Sequence, residues 1–267
     1  LLDHGERAIG RQVLAMSLQE EFAAVAREDG RAALVTVLRG EHVGEKLLVR
    51  PDGSTDGTLG DSELDAQGRT DADELMWKER SEVRGDLFVD VTHPDPRIII
   101  FGAVEYAAHL SALARVAGWR PYVVDPRQRF ATRERFPAAL DVIAGWPEKA
   151  FEQLGAIDRA TYIAVLTHDP KLDDAALVIA LRSDAPYIGA MGSKRAQAER
   201  RERLLGAGIT EEEMSRISAP IGLDLGATSA EETAVSIMAE LVAVRHGREG
   251  GRLSQAKGRI HKVAAGT

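Results

Sequence analysis

Hydrophobic residues follow two different rhythms along the chain. From Gln12 to Glu28, Val13, Leu14, Met16, Phe22, Val25 and Ala26 recur at helical spacing and Asp29-Gly30 supplies a stop, which predicts an amphipathic helix. Ala32 to Leu38 and Lys46 to Arg50 are rich in β-formers, with Pro51-Asp52-Gly53-Ser54 as a turn after the second. They predict strands of a small α+β unit. Gly57 and Gly60 bracket Thr58-Leu59, a further helix is expected over Asp71 to Glu82, and Leu87 to Val91 is expected to form a last strand. Pro94 and Pro96 then favour an extended linker. That places a boundary between an N-terminal domain over residues 1–92 and a second domain over 97–247.

From Arg97 onward short apolar runs alternate with helical patterns, the order expected of βαβ units and a parallel sheet. Strands are predicted at Ile98 to Phe101, Pro121 to Val124, Ala139 to Ile143, Tyr162 to Leu166, Tyr187 to Met191 and Ile221 to Leu225. Helices fit at Val104 to Val116, Asp173 to Leu181, Lys194 to Leu205 and Ala230 to His246, with a shorter one at Pro147 to Leu154. Ser229, with Glu232 three residues on, forms a capping box for the last. The expected fold class is α/β: a C-terminal doubly wound, Rossmann-like parallel sheet with a smaller N-terminal α+β domain. Residues 248–267 are Gly-rich and basic without sustained periodicity, and read as a flexible tail.

Composition narrows the function classes. A 267-residue chain with 44% hydrophobic residues can fill a core. Its 34 Lys and Arg against 42 Asp and Glu leave a net charge of −8, which opposes general attraction to nucleic acid or anionic membranes. The absence of cysteine removes disulfides, thiolate metal sites and cysteine nucleophiles. No apolar run reaches the roughly 18 residues of a membrane span, and no basic head precedes an apolar core at the N-terminus. A soluble, cytoplasmic protein is expected. The sequence opens on Leu1 instead of Met, so the expectation is of a segment from which some N-terminal motif residues are missing.

In open parallel sheets, ligands bind beyond the carboxyl ends of the strands, where loops and helix N-termini converge with unpaired amides. Gly102 follows the first of these strands where a dinucleotide turn would begin, and Asp125, 23 positions later, stands where a ribose-binding acid would end the second. Val104 occupies the place of the second glycine, and its branched side chain would crowd a pyrophosphate. Gly192-Ser193-Lys194-Arg195 combines a glycine, a hydroxyl, helix-start amides and two cations, which suits phosphate; the plainer reading is that Ser193 caps a helix beside two solvated cations. Thr167-His168-Asp169-Pro170, with Asp173 one turn on, offers a general base or a metal-ligand pair, although Asp169 before Pro170 also reads as an N-cap. Arg127, just after Asp125, is a further phosphate candidate.

These residues, in this order, resemble the XdhC/CoxI family, whose members help load molybdenum cofactor into xanthine dehydrogenase-like and carbon monoxide dehydrogenase-like enzymes. The likeness runs from Arg97-Ile98-Ile99-Ile100-Phe101-Gly102 through Val124-Asp125-Pro126-Arg127, Leu166-Thr167-His168-Asp169-Pro170 and Tyr187-Ile188-Gly189-Ala190-Met191-Gly192-Ser193 to Pro220-Ile221-Gly222-Leu223-Asp224-Leu225-Gly226. The family usually shows Gly-Ala-Gly-His where this chain has Gly102-Ala103-Val104-Glu105, and Gly57 to Leu64 looks like a reduced form of its glycine-rich N-terminal segment. The resemblance implies a chaperone that binds molybdenum cofactor (molybdopterin), protects it and delivers it to a molybdenum hydroxylase client, as a maturation factor and not a catalyst. In that picture Ser193, Lys194 and Arg195 hold the phosphate, Gly102 and Asp125 shape the pocket, and His168 with Asp169 contacts the pterin or the molybdenum oxo ligands. Sulfuration would need a cysteine-bearing partner. Two other readings stand beside it: an NAD(P)-binding oxidoreductase with an altered glycine turn, and a structural interaction module that forms a homodimer through its last helix. No bound metal, nucleic acid or membrane partner is expected.

Overall fold

A computed structural model describes residues 16–255 of the chain. The chain divides into two compact units, Leu1–Pro94 and Asp95–Thr267. With elements numbered in chain order, the first unit begins with helix α1 (Leu18–Arg27), capped by Ser17 and Glu20 in a reciprocal box. Residues 12–15 of the expected helix lie outside the described residues. Strands β1 (Ala33–Val37), β2 (Lys46–Val49), β3 (Thr55–Thr58), β4 (Glu82–Arg84) and β5 (Leu87–Val91) form an antiparallel sheet in the order β3-β2-β1-β5-β4. Alternation along β1 divides its side chains between two small cores. Ala33, Val35 and Val37 pack towards α2 (Ser62–Trp77), and Leu34, with Ala32 and Leu48, packs towards Leu18, Phe22 and Val25 of α1.

Three features of this unit differ from the expectation. Helix α2 starts at Ser62 instead of Asp71, because the Asp61 carboxylate accepts from the amides of Glu63 and Leu64 and caps it there. It ends at Trp77, and Glu79 turns the chain with a φ of 51°. Strands β3 and β4 lack an apolar alternation, and both lie at sheet edges, where polar residues blunt further pairing.

The second unit carries six strands: β6 (Arg97–Phe101), β7 (Arg120–Val124), β8 (Asp141–Ile143), β9 (Thr161–Val165), β10 (Tyr187–Ala190) and β11 (Ile217–Ser218). Every pairing is parallel and the order is β11-β10-β9-β6-β7-β8. Counted from β6, that is 6-5-4-1-2-3, the doubly wound arrangement. Helices α3 (Glu105–Val116) and α8 (Ala230–Arg245) share one core with Ile98, Ile100 and Val123. Helices α4 (Pro147–Leu154), α5 (Pro170–Leu181) and α6 (Lys194–Gly206) cover the other face, on a core that includes Ile99, Phe101 and Val165. A short helix α7 (Glu211–Met214) precedes β11. Sheet strands buried on both faces read as continuous apolar runs, which is why Ile98 to Phe101 stands out along the chain.

The strand expected at Ile221 to Leu225 does not form. Its place in the sheet goes to Ile217–Ser218, and the chain then passes a cis Ala219-Pro220 peptide. The backbone beyond is taken by α8: Gly222 N–H donates to Glu240 at 2.7 Å, Leu223 N–H donates to the Ser236 carbonyl at 3.2 Å, and the Ser236 hydroxyl donates to the Leu223 carbonyl. Glu240 also accepts from the buried Tyr187 hydroxyl, whose pKa burial and that carboxylate push upward. The capping box of Ser229 and Glu232 is present. Of the tail expected over 248–267, the described part ends in a single 3-10 turn at Leu253–Gln255, and residues 256–267 lie outside the described residues.

Candidate functional site

The turns that follow β6, β7, β9 and β10 all lie at the carboxyl edge of one parallel sheet, and they carry Gly102, Asp125, Thr167 and Gly192. The connections leave to opposite faces between β6 and β9, the place where a crevice opens in such sheets. Gly102 stands there with φ +114°, and a Cβ on it would lie 2.6 Å from Thr167 Cγ2. The two turns therefore touch, and only a residue without a side chain fits.

Asp125 is fully buried, and its acceptors are taken. Oδ2 accepts from the Ala103 amide at 2.8 Å and from Arg127 Nη2 at 2.7 Å; Oδ1 accepts from the Arg127 amide and from Arg127 Nε, both at 2.9 Å. Burial alone would raise this carboxyl's pKa, but the hydrogen bonds from Arg127 and Ala103 outweigh it and hold the pKa below the usual aspartate range. The same pair raises the Arg127 pKa, to which the charge of Asp169 adds. Asp125 thus corrects the expectation of a free ribose acceptor: it ties β7 to the glycine turn and fixes Arg127, whose guanidinium is half exposed and lies 5.0 Å from the Phe130 ring.

Helix α3 begins beside this pair with Val104 as its N-cap and no side-chain cap. The amides of Val104, Glu105 and Tyr106 make no hydrogen bond among the described residues. Helices α5 and α6 differ. Asp169 accepts from the Lys171 amide at 3.0 Å, and Ser193 accepts from the Ala196 amide at 3.3 Å, so both residues serve as caps. Thr167 is buried and its hydroxyl donates to Asp173 at 2.6 Å while accepting from the Asp169 amide at 2.9 Å. His168 is exposed at the tip of that turn.

Asp173, read from sequence as a base or metal ligand, is instead buried against Arg200 of α6. Arg200 also donates to the Met191 carbonyl at 2.9 Å, and Gln197 donates to the Gly192 carbonyl at 3.2 Å. This network fastens the turn after β9 to the turn after β10. Burial raises the Asp173 pKa, against the opposing hydrogen bonds from Thr167 and Arg200. Among the described residues no group of three or more His, Asp or Glu could hold a metal ion, and no helix is long and apolar enough to cross a membrane.

The predicted residues thus fall into two sets. Gly102, Asp125, Arg127, Thr167 and Asp169 converge at the crevice between β6 and β9. Gly192 and Ser193 belong to the neighbouring turn, where Lys194 is exposed and Arg195 pairs with Glu199 along the outside of α6 at 2.9 Å. Arg200 and Gln197 were not singled out from the sequence, because α6 is polar throughout and nothing in its spacing marks the one arginine that is buried.

Residues 98–241 match the XdhC Rossmann domain, and residues 25–85 match the XdhC and CoxI family. The chain belongs to the XdhC and CoxI family. Its curated XdhC/CoxI relatives include a protein of Bacillus subtilis (strain 168) named as a probable xanthine dehydrogenase subunit, 31% identical over 160 residues, covering 60% of this chain and 46% of that one. Another is the molybdenum cofactor insertion chaperone PaoD of Escherichia coli (strain K12), 28% identical over 152 residues, covering 57% of this chain and 41% of PaoD. The chain spans less than half the length of each. A crystal structure of a xanthine dehydrogenase from Bacillus halodurans superposes with a TM-score of 0.58 at 24% identity, over 86% of this chain and 67% of that one, and so shares the fold.

Proposed function

We propose that this XdhC/CoxI protein takes part in molybdenum cofactor maturation by holding the cofactor at the crevice between β6 and β9 and passing it to a molybdenum hydroxylase client. The observation that carries this reading is the uncapped start of α3: three unpaired amides at the positive end of a helix, next to Gly102 and the fixed cation of Arg127. Such an end suits the terminal phosphate of molybdopterin. The residues fit that group, because Arg127 is oriented by Asp125 while Nη1 makes no hydrogen bond among the described residues. Exposed His168 stands within the same crevice edge to meet the pterin, and Lys194 adds charge one turn away. The chain's part is to bind, orient and shield; the names of the Bacillus subtilis relative and of PaoD support the client class.

Binding of isolated molybdenum cofactor to the full chain tests the assignment, with Arg127→Ala and Lys194→Ala as surface variants. Arg127→Ala should weaken binding about tenfold, as expected for loss of a charge-assisted contact, and Lys194→Ala less. Unchanged binding in both variants would remove the phosphate assignment.

A further inference from the structure

Helix α8 has apolar residues on two sides. Ala234, Ile237 and Leu241 enter the core, whereas Val235 and Val242 are 47% and 38% exposed. With Met238 and Ala239 they make a stripe at helical spacing. Helix α3 runs alongside in the same direction: His109 Nε2 lies 3.6 Å from Glu231 near the N-terminal ends, and Val116 at its other end is 88% exposed. After α8 the chain turns back, with Arg248 N–H donating to the Ala243 carbonyl and Gly250 packed so closely on Leu223 that a Cβ would lie 2.5 Å from it. Leu253, 68% exposed, forms the opposite wall of a groove of about 1030 Å3.

The charge at this groove is opposite to that of the chain, whose net charge is −8. Arg248 and Arg252 line it, their side chains make no hydrogen bond or ion pair among the described residues, and Glu249 is the acid beside them. We propose that the groove docks an amphipathic helix of a partner protein, with its apolar stripe on Val116, Val235 and Val242 and its flanking carboxylates on Arg248 and Arg252. Two adjacent helices with exposed valines offer a trough that a third helix can fill, and unpaired arginines select an acidic flank. The stripe from Val235 to His246 is about 16 Å long at 1.5 Å per residue, which matches about three turns of the guest. A second copy docked about a two-fold axis would bring the same arginines together. Residues 256–267 contain Lys257, Arg259 and Lys262 and no acid, so their charge also opposes this rim. The groove lies away from the strand-end crevice, towards the C-terminal ends of α3 and α8, so both could be occupied at once.

The test is fluorescence anisotropy of a labelled synthetic helix of about sixteen residues, leucines at i, i+3, i+4 and i+7 and glutamates on the flanks, against a twin with lysines on the flanks. The full chain should bind the glutamate peptide at least about tenfold more tightly than the lysine twin at low salt. Val116→Asp, at an exposed site, should abolish that binding without shifting Tm, and Arg248→Glu with Arg252→Glu should reverse the preference. Equal binding of the two peptides, or none up to about 1 mM, overturns the proposal. So does a dimer in sedimentation that Val116→Asp dissolves, which would assign the groove to a second copy. Were Val116→Asp to lower Tm, the arginine reversal alone would decide.

Discussion

Asp173 and Arg200, 27 residues apart in sequence, form a buried ion pair at 3.0 Å that joins the turn after β9 to the turn after β10. Removing one partner leaves the other charge uncompensated out of water. Arg200→Met should therefore lower unfolding free energy by about 3 kcal/mol or more, while Asp173→Asn combined with Arg200→Met should recover much of the loss. Urea unfolding of the two single variants and the double variant closes the cycle; additive losses would mean the pair is not coupled.

Asp125 and Asp173 predict pH effects of opposite sign. The Asp125 pKa is lowered by its partners, so its contribution is complete above the usual aspartate value near 3.8 and disappears as pH falls through the lower folded value. The Asp173 pKa is raised by burial, so its protonated form suits the fold, and that contribution fades as pH rises from near 3.8 through the higher folded value. Urea midpoints from pH 7 to pH 3 should show the cost of Asp125→Asn shrinking with acid and the cost of Asp173→Asn growing. Parallel curves for the two variants would refute this assignment.

Gly102→Ala tests the contact between the turns. Added strain from φ +114° and a Cβ 2.6 Å from Thr167 Cγ2 should cost about 2 kcal/mol. Thr167→Ser keeps the hydroxyl bonded to Asp173 but removes the clashing methyl, so the double variant should regain part of the Tm loss and not all of it.

Glu105 places a carboxylate in the first turn of α3, where it opposes a phosphate at the same amides. Glu105→Gln should tighten binding of isolated molybdenum cofactor by about two- to fivefold, the range for one charge at a helix end. No change would place the phosphate elsewhere.

Titration with NADH should give no saturable change in nicotinamide fluorescence. Arg127 and Ala103 occupy the Asp125 oxygens that a ribose would need, and Val104 stands in place of the second glycine. Saturable binding would reassign the crevice to a nucleotide.

What could be read along the chain was local. Apolar runs marked β6, β7, β9 and β10, because strands covered on both faces need no polar alternation. Asp169, Ser193 and Ser229 announced helix starts, since a cap acts on amides two or three residues away. The same locality explains the errors. Ile221 to Leu225 looks like a strand until Ser236 and Glu240 of α8 take its backbone, and Asp61 starts α2 well before the apolar spacing becomes evident.

The sequence by itself determined the alternation of strands and helices, the capping residues and the glycine at the first turn, all of which depend on neighbours within one turn. Only the tertiary structure decided that Asp125 is filled by Ala103 and Arg127, that Asp173 is a buried partner of Arg200, and that α3 alone among α3, α5 and α6 begins without a side-chain cap. Those outcomes depend on which strand ends lie side by side. Burial and hydrogen bonding between residues distant in the chain exist only once the parallel sheet has brought them together.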